Sequence, residues 1–426
     1  MLYNSLMQAI FAIVKARKYT ALLLLVLLFS FVTKAWRINQ PDEYYFDEIY
    51  YGFTAEQYTK ANMDAWVFDT TAPKGFAYTW DHPPTGKLLM SVPIKIIGVS
   101  SLSRRVAPLL FGTFLTVLVY YFYLALFPGQ RIGALLSALI ISLDGLVLSM
   151  SRIALVDVIL TTLVLCSAVF MWRGKIILSA IFFGLAVSTK WTGLYLLPVM
   201  FLHQLMVFDW RKSKAVLNLK NMLMNVTKFI SIGIIIYILS YTPLLLHFGW
   251  EKFVDLQKQM YWYHTGLKAT HPFQSKAYMW PLDIKPVWLW VKSGFGVVQS
   301  IYAVGNPLVF WGGAICVVAV CVEAVRTKSK KLLFLLAYYF IFWLPWVFSP
   351  RLMFIYHYLP SVPFLVVCTA VILEKLITTC KRWGATVAVC YILVVAVTFA
   401  HMYPCWTGMP IEKTTGDNYL WQKVLK

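Results

Sequence analysis

Two carboxylates stand side by side at Asp47-Glu48, in the aromatic run Tyr44-Tyr45-Phe46-Asp47-Glu48-Ile49-Tyr50-Tyr51-Gly52. An acid set among rings near a membrane boundary has its pKa decided by its surroundings. It can take the proton from an attacking hydroxyl or help to hold a divalent metal. The same acids can instead cap a helix that begins near Ile49, and residue type alone leaves both readings open. Further along comes Trp80-Asp81-His82-Pro83-Pro84-Thr85-Gly86-Lys87. Its two prolines exclude an ordinary helix interior. They lead into Leu88–Ile97, an apolar stretch too short to span a bilayer and suited to lie at its interface; a simple turn into that helix is the plainer reading of the motif. A third group is Asp144, Arg152 and Asp157. Ionisable residues among apolar segments mark function by default, whereas an arginine between two acids also makes a structural ion network. Asp144 is read as structural, and Asp157 is left open.

These residues must be positioned by membrane helices. Of 426 residues, 60% are hydrophobic and 13% charged, too little polar surface for a soluble chain of this size. The apolar residues fall in runs, such as Tyr19–Trp36, Ala107–Phe127 and Ile132–Met150, each long enough to cross about 30 Å of hydrocarbon. Backbone amides in lipid must be satisfied internally, so such runs are helices. The pattern predicts an all-α polytopic membrane protein with about eleven spans. They fall at 19–36, 107–127, 132–150, 153–171, 176–189, 191–208, 229–248, 304–325, 332–348, 352–373 and 384–402. The N-terminus, with Lys15, Arg17 and Lys18 ahead of an apolar run and no small-residue cleavage site after it, reads as the first membrane helix.

The net charge of +20 does not point to nucleic acid, since no binding module for it is visible. The basic residues sit in short connections: Arg211-Lys212-Ser213-Lys214, Arg326-Thr327-Lys328-Ser329-Lys330-Lys331 and Lys381-Arg382. With the N-terminus inside, all three fall on the cytoplasmic side. Residues 37–106, 249–303 and the tail from Tyr403 then lie outside, in a single membrane domain with no internal repeat. Long loops rich in acids, aromatics and prolines are where function concentrates. In the second loop Trp262-Tyr263-His264, Trp280-Pro281-Leu282 and Trp288-Leu289-Trp290 suit an interfacial belt or a groove for a peptide or sugar face. The seven cysteines lack metal-binding spacing and read as small core residues. No phosphate-binding glycine loop or dinucleotide fingerprint is present, which speaks against a nucleotide-sugar donor. The sequon Asn225-Val226-Thr227 falls on the cytoplasmic side and carries no meaning there.

Phe46-Asp47-Glu48, followed by Asp81-His82-Pro83-Pro84-Thr85-Gly86-Lys87, resembles the protein O-mannosyltransferases, membrane glycosyltransferases of the GT-C fold. The family usually has leucine where Thr85 stands. The likeness continues in order through Arg104-Arg105-Val106-Ala107-Pro108, Arg152-Ile153-Ala154-Leu155-Val156-Asp157, Lys190-Trp191-Thr192-Gly193, Gly305-Asn306-Pro307 and His357-Tyr358-Leu359-Pro360, covering nearly the whole chain.

The resemblance implies transfer of mannose, with inversion, from a polyprenyl-phosphate-mannose lipid to Ser or Thr hydroxyls of an exported protein. It implies a multi-pass protein of the inner or plasma membrane with its site on the outer face. Asp47 and Glu48 carry over as the catalytic pair, with Asp47 the expected base and Glu48 its helper. The leaving phosphate needs positive charge, and the candidates are Lys87, Arg104, Arg105, Lys190, Arg351 and His357, with the likeness favouring Arg104 or Arg105. Arg104, Arg105 and Lys190 have a plainer role as snorkelling residues, and Arg351 and His357 as residues of a short outer turn. Asp81, His82, Pro83, Pro84, Arg152 and Asp157 are expected to support the site. No metal ligands are assigned, and metal dependence is left open. Eukaryotic relatives carry an extra β-rich domain in the second outer loop, which is too short here to hold one. A sugar transferase acting on a lipid, of the aminoarabinose type, shares the architecture and would make Asp42-Glu43 the relevant acids, but the His82-Pro83-Pro84 motif argues against it. A transporter would show inverted repeats.

Overall fold

The structure, a computed structural model, describes residues 2–208 and 215–414. The basic connection Arg211–Lys214 and the end of the C-terminal tail lie outside the described residues. Helix α1 (Leu2–Ala35) enters a long irregular segment that holds a 3-10 turn (Phe46–Ile49), α2 (Tyr51–Thr59) and α3 (Thr85–Ile97). The helices α4 (Ser101–Leu126), α5 (Arg131–Ser142), α6 (Gly145–Met150), α7 (Asp157–Trp172), α8 (Ile176–Val187), α9 (Leu196–Val207), α10 (Ala215–Ser240) and α11 (Thr242–Gly266) follow. Strands β1 (Val287–Gly294) and β2 (Val297–Ala303) then precede α12 (Pro307–Thr327), α13 (Lys330–Trp343) and α14 (Val362–Thr407), with the short β3 (Ile411–Glu412) after them.

Six described helical stretches are long and apolar enough to cross a membrane: Arg17–Ala35, Ser101–Leu126, Val216–Ser240, Pro307–Thr327, Lys330–Phe348 and Ile355–Thr407. Four of the expected spans are instead shorter apolar helices, Arg131–Ser142, Asp157–Trp172, Ile176–Val187 and Trp191–Val207. Large exposed side chains of the long stretches, among them Leu24, Leu28, Ile234, Ile315 and Val397, lie on the outside of the bundle, the arrangement lipid favours over water. Inside, α7 is buried almost all round, and hydroxyl pairs such as Ser30–Thr116 at 2.8 Å and Ser167–Ser179 at 2.9 Å join neighbouring helices.

Several boundaries differ from the expected ones for local reasons. α4 starts at Ser101, not near 107, because Ser100 and Ser103 form a reciprocal cap; Arg104 and Arg105 are therefore helical. The expected helix 132–150 is two helices, since Asp144 Oδ1 accepts from the Val147 amide at 2.9 Å and caps α6. The expected span ending at 248 continues through a bend at Gly249 (φ 79°) as the second half of α11. α14 merges two helices across a turn at Lys381, whose φ is 49°. The second long loop adds a sheet to an otherwise helical protein. β1 and β2 pair antiparallel around Phe295-Gly296, both at positive φ as a tight two-residue hairpin requires, and β3 pairs with β2. Cys380 and Cys390 are exposed on helix surfaces and so depart from the core role expected of the cysteines. The sequon Asn225 sits inside α10 and donates to Gln204 Oε1 at 3.1 Å.

Candidate active site

The Asp47-Glu48 pair is split by its own turn. The chain arrives extended at Tyr45, passes through Phe46 at φ 50° and closes the 3-10 turn Phe46–Ile49. A positive φ is costly for a bulky residue and persists where surrounding contacts impose it. Here the turn is anchored by Glu48. Its side chain is fully buried and takes two hydrogen bonds from Arg105, Nε to Oε1 at 2.7 Å and Nη2 to Oε2 at 2.9 Å. The Ala154 amide donates to Oε1 at 2.9 Å. Arg105 spends its other donors on the carbonyls of Ile38 (2.9 Å) and Glu43 (3.0 Å). Glu48 and Arg105 thus form one closed unit that pins the turn to α4 and to the segment before α7. That corrects two expectations: neither Arg105 nor Glu48 reaches the cavity described below.

Other expected phosphate ligands are also committed elsewhere. Arg104 is buried with its guanidinium 3.7 Å above the Tyr44 ring. Lys87 donates to the carbonyls of Thr79 and, at 2.8 Å, His82, so it ties down the loop bearing Asp81-His82-Pro83-Pro84. Arg152 does not bridge Asp144 and Asp157 but donates to the carbonyls of Lys34 (2.5 Å), Trp36 (2.6 Å) and Arg37 (3.2 Å), closing the C-terminus of α1. Asp144 caps α6 and accepts from the Asn306 amide at 3.1 Å, the structural role expected of it. Asp42 accepts from Ser101 Oγ at 2.6 Å and Glu43 from Trp290 Nε1 at 2.7 Å, and neither borders the cavity.

Asp47 leaves the turn on the opposite side from Glu48 and lines a cavity of about 420 Å³. Asp81, His82, Asp157, Lys190, Arg351 and His357 share its wall with a set of rings that includes Tyr50, Tyr263 and Tyr356. No residue among those described is hydrogen-bonded to the Asp47 carboxylate. Its burial pushes the carboxyl up to about 7; Asp157 and Asp81 push the same way and Lys190 opposes them. Burial also raises Asp81, against Lys87 and Arg351. Lys190 Nζ pairs with Asp157 Oδ1 at 2.8 Å. Burial and nearby cations hold His82 well below the usual imidazole range, so it faces the cavity neutral, stacked on Tyr51 with ring centroids 5.8 Å apart.

The Pro83-Pro84 motif sets this wall. The Thr85 amide donates to the Ser188 carbonyl at 2.8 Å, which joins the motif to the turn carrying Lys190. Gly86 permits the approach, because a Cβ there would sit 2.5 Å from Val156 Cγ1. Sequence reasoning placed Asp47, Asp81, His82, Asp157, Lys190, Arg351 and His357 among the site residues, and the fold brings them together. It did not single out Tyr356, which lines the cavity, or His264, which contacts Arg351. His264 was visible only as the end of an aromatic triplet, and no local signal relates it to Arg351, which it touches at 2.8 Å. Among the described residues, no group of three or more His, Cys, Asp and Glu is arranged to hold a metal ion.

The helical bundle is that of the GT-C glycosyltransferases. It superposes on the Saccharomyces cerevisiae protein O-mannosyltransferase Pmt1-Pmt2 complex bound to the sugar donor with a TM-score of 0.79, at 13% identity over 95% of this chain and 92% of that one. It also matches ArnT from Cupriavidus metallidurans bound to undecaprenyl phosphate, with a TM-score of 0.60 at 16% identity over 91% and 70% of the two chains. The family model described as dolichyl-phosphate-mannose-protein mannosyltransferase matches residues 24–253, and that of the C-terminal four-helix membrane region of protein O-mannosyltransferase matches residues 249–426. The chain belongs to the dolichyl-phosphate-mannose-protein mannosyltransferase family. Polyprenol-phosphate-mannose–protein mannosyltransferases of Mycobacterium tuberculosis (23% identical over 80% of both chains) and Mycolicibacterium smegmatis (25% identical over 80% of this chain and 81% of that one) are among its relatives.

Proposed function

We propose that this membrane enzyme moves mannose from a polyprenyl-phosphate-mannose lipid to a Ser or Thr hydroxyl of a protein in one inverting displacement. The observation that carries the reading is the Asp47 carboxylate, unpaired among the described residues and open to a cavity whose wall also bears Lys190 and Arg351. Asp47 takes the acceptor hydroxyl's proton as its oxygen bonds to the mannose anomeric carbon. The bond from that carbon to the phosphate oxygen breaks, and its electron pair leaves with the lipid phosphate. A carboxyl with a pKa of about 7 is matched to such a base. Lys190 and Arg351 are the phosphate's charged partners in this reading, since positive charge is worth most where negative charge develops, and His357, whose Nδ1 is taken up by the Phe354 backbone, offers only its other ring nitrogen. Glu48 helps by holding the turn, and Arg105, Arg104, Lys87 and Arg152 hold the elements around it.

The lipid tail has a place beside the cavity. An apolar groove of about 360 Å³ between α8, α10 and the turn before α9 is lined by Phe183, Val187, Trp191, Leu194, Ile230 and Ile234, among others. Trp191 links it to the cavity, following Lys190 in the chain and lying 5.7 Å from the His264 ring. We place the cavity on the outer face and the N-terminus in the cytoplasm, with the whole chain one membrane domain of about eleven spans and residues 37–106 and 249–303 as its outer loops. The basic turns at 326–331 and 381–382 support this, because they lie at the end of the bundle away from the cavity. There Lys331 sits over the Phe127 ring, and Glu323 pairs with Lys375 at 2.8 Å. The acceptor is then a protein exported across that membrane.

The test is transfer from purified polyprenyl-phosphate-mannose to a Ser/Thr-rich peptide by wild type, Asp47→Asn and the double variant D42A/E43A. Loss in the first variant and retention in the second is expected. Equal activity of wild type and Asp47→Asn overturns the proposed base.

A further inference from the structure

Arg351 is a long side chain on irregular backbone between two 3-10 turns, Leu344–Phe348 and Ile355–Ser361. Left to itself it would sample many rotamers, and a phosphate ligand with that freedom loses much of its value on binding. It is not left to itself. Its Nη1 donates to His264 Nδ1 at 2.8 Å. The other nitrogen of that ring, Nε2, lies 2.7 Å from the carbonyl oxygen of Asp81. A carbonyl can only accept, so Nε2 carries the proton, and Nδ1 is free to accept from the guanidinium. Both ends of the ring are specified by their partners. Burial and the facing Arg351 and Lys190 charges hold His264 down at about 4, which keeps this one neutral tautomer in place. The Asp81 carbonyl belongs to the loop that Lys87 fixes through Thr79 and His82. Arg351 lines the cavity, and its Nε is buried with no partner among the described residues, so the guanidinium is not closed off by protein partners as Arg105 is.

We propose that His264 is a positioning residue for the donor phosphate: it aims the Arg351 guanidinium by relaying the fixed Asp81 carbonyl to it. This rests on the reading of Arg351 as a phosphate partner. His264 touches no reacting atom, and its effect passes wholly through Arg351. The two ring nitrogens also separate the roles of its replacements. Asparagine places an accepting oxygen where Nδ1 stands, and so keeps the bond from Arg351. Glutamine places a donating nitrogen where Nε2 stands, and so keeps only the bond to Asp81.

The experiment measures binding of polyprenyl phosphate without its sugar, and KM for polyprenyl-phosphate-mannose and for peptide, on the full chain in lipid nanodiscs. The variants are His264→Ala, His264→Asn, His264→Gln, Arg351→Ala and the double variant H264A/R351A. His264→Ala is expected to weaken polyprenyl phosphate binding and raise donor KM about tenfold, the scale of one charge-assisted hydrogen bond, with peptide KM unchanged. His264→Asn should recover most of the loss, and His264→Gln should not. In the Arg351→Ala background the His264→Ala change should be silent. A full multiplicative loss in the double variant, or equal loss in His264→Asn and His264→Ala, overturns the proposal. If His264→Ala does not fold, the comparison of His264→Asn with His264→Gln decides alone. Unchanged polyprenyl phosphate binding by Arg351→Ala removes the phosphate role beneath the proposal, whereas an active Asp47→Asn overturns the base and leaves the binding results standing.

Discussion

One 3-10 turn sends the side chains of Asp47 and Glu48 to different environments, and their replacements should fail differently. Asp47→Asn removes the proposed base, so kcat should fall by about 10²–10⁴-fold. Its thermal midpoint should not fall, because the lost carboxylate has no hydrogen-bond partner among the described residues and burial already disfavours its charge. Glu48→Gln leaves Arg105 as a buried cation without its counter-charge, with both side chains fully out of solvent. Removing one partner of such a pair costs about 3–5 kcal/mol, so a thermal melt in detergent should drop along with activity. The Asp47 carboxyl also sets a pH dependence. A base works only when deprotonated, and a pKa raised to about 7 puts its loss near neutrality. Thus kcat/KM should rise with pH through about 7 and fall below it, where the group protonates. A profile flat from pH 5 to 8 would remove Asp47 as the titrating group.

At the scale of elements, the site depends on how closely two turns approach. The Thr85 amide bond to Ser188 and the missing Cβ at Gly86 hold the Asp81-His82 loop against the Lys190 turn. Gly86→Ala would set a methyl 2.5 Å from Val156 Cγ1, and neither backbone can retreat without moving its half of the cavity wall. Transfer activity should fall by about tenfold or more, since small misplacements of catalytic groups are costly, while the chain remains inserted in the membrane. The apolar groove makes a second demand. Leu194→Trp would fill it from an exposed position. KM should rise for a long-chain polyprenyl donor and stay unchanged for a short-chain analogue that does not enter the groove. An equal rise for both donors would place the tail elsewhere.

For the whole molecule the decisive question is which face carries the cavity. Phe295 is fully exposed at the tip of the β1–β2 hairpin on the cavity side, and Trp383 is exposed beside the turn at the other end. In a cysteine-free background, Phe295→Cys should react with a membrane-impermeant maleimide on intact cells, and Trp383→Cys only after permeabilisation. The reverse result would place the site in the cytoplasm, away from any exported acceptor.

The helical membrane architecture and the ordered motifs were legible in the sequence, because each rests on local pattern: apolar run length, prolines and paired acids. The motif residues Asp47, Asp81, Asp157 and Lys190 could be named for the same reason. What the sequence could not supply was which charges are consumed. Arg105 and Lys190 look alike as cations beside apolar segments, yet Arg105 is closed by Glu48 and two carbonyls away from the cavity, while Lys190, paired among the described residues with Asp157 alone, lines it. That distinction, like the link from Arg351 to His264, depends on partners brought together from distant segments by helix packing. A donor's availability is a property of the folded surroundings rather than of the residue, so tertiary structure alone decided which of the named side chains line the cavity and which are closed by partners within the frame.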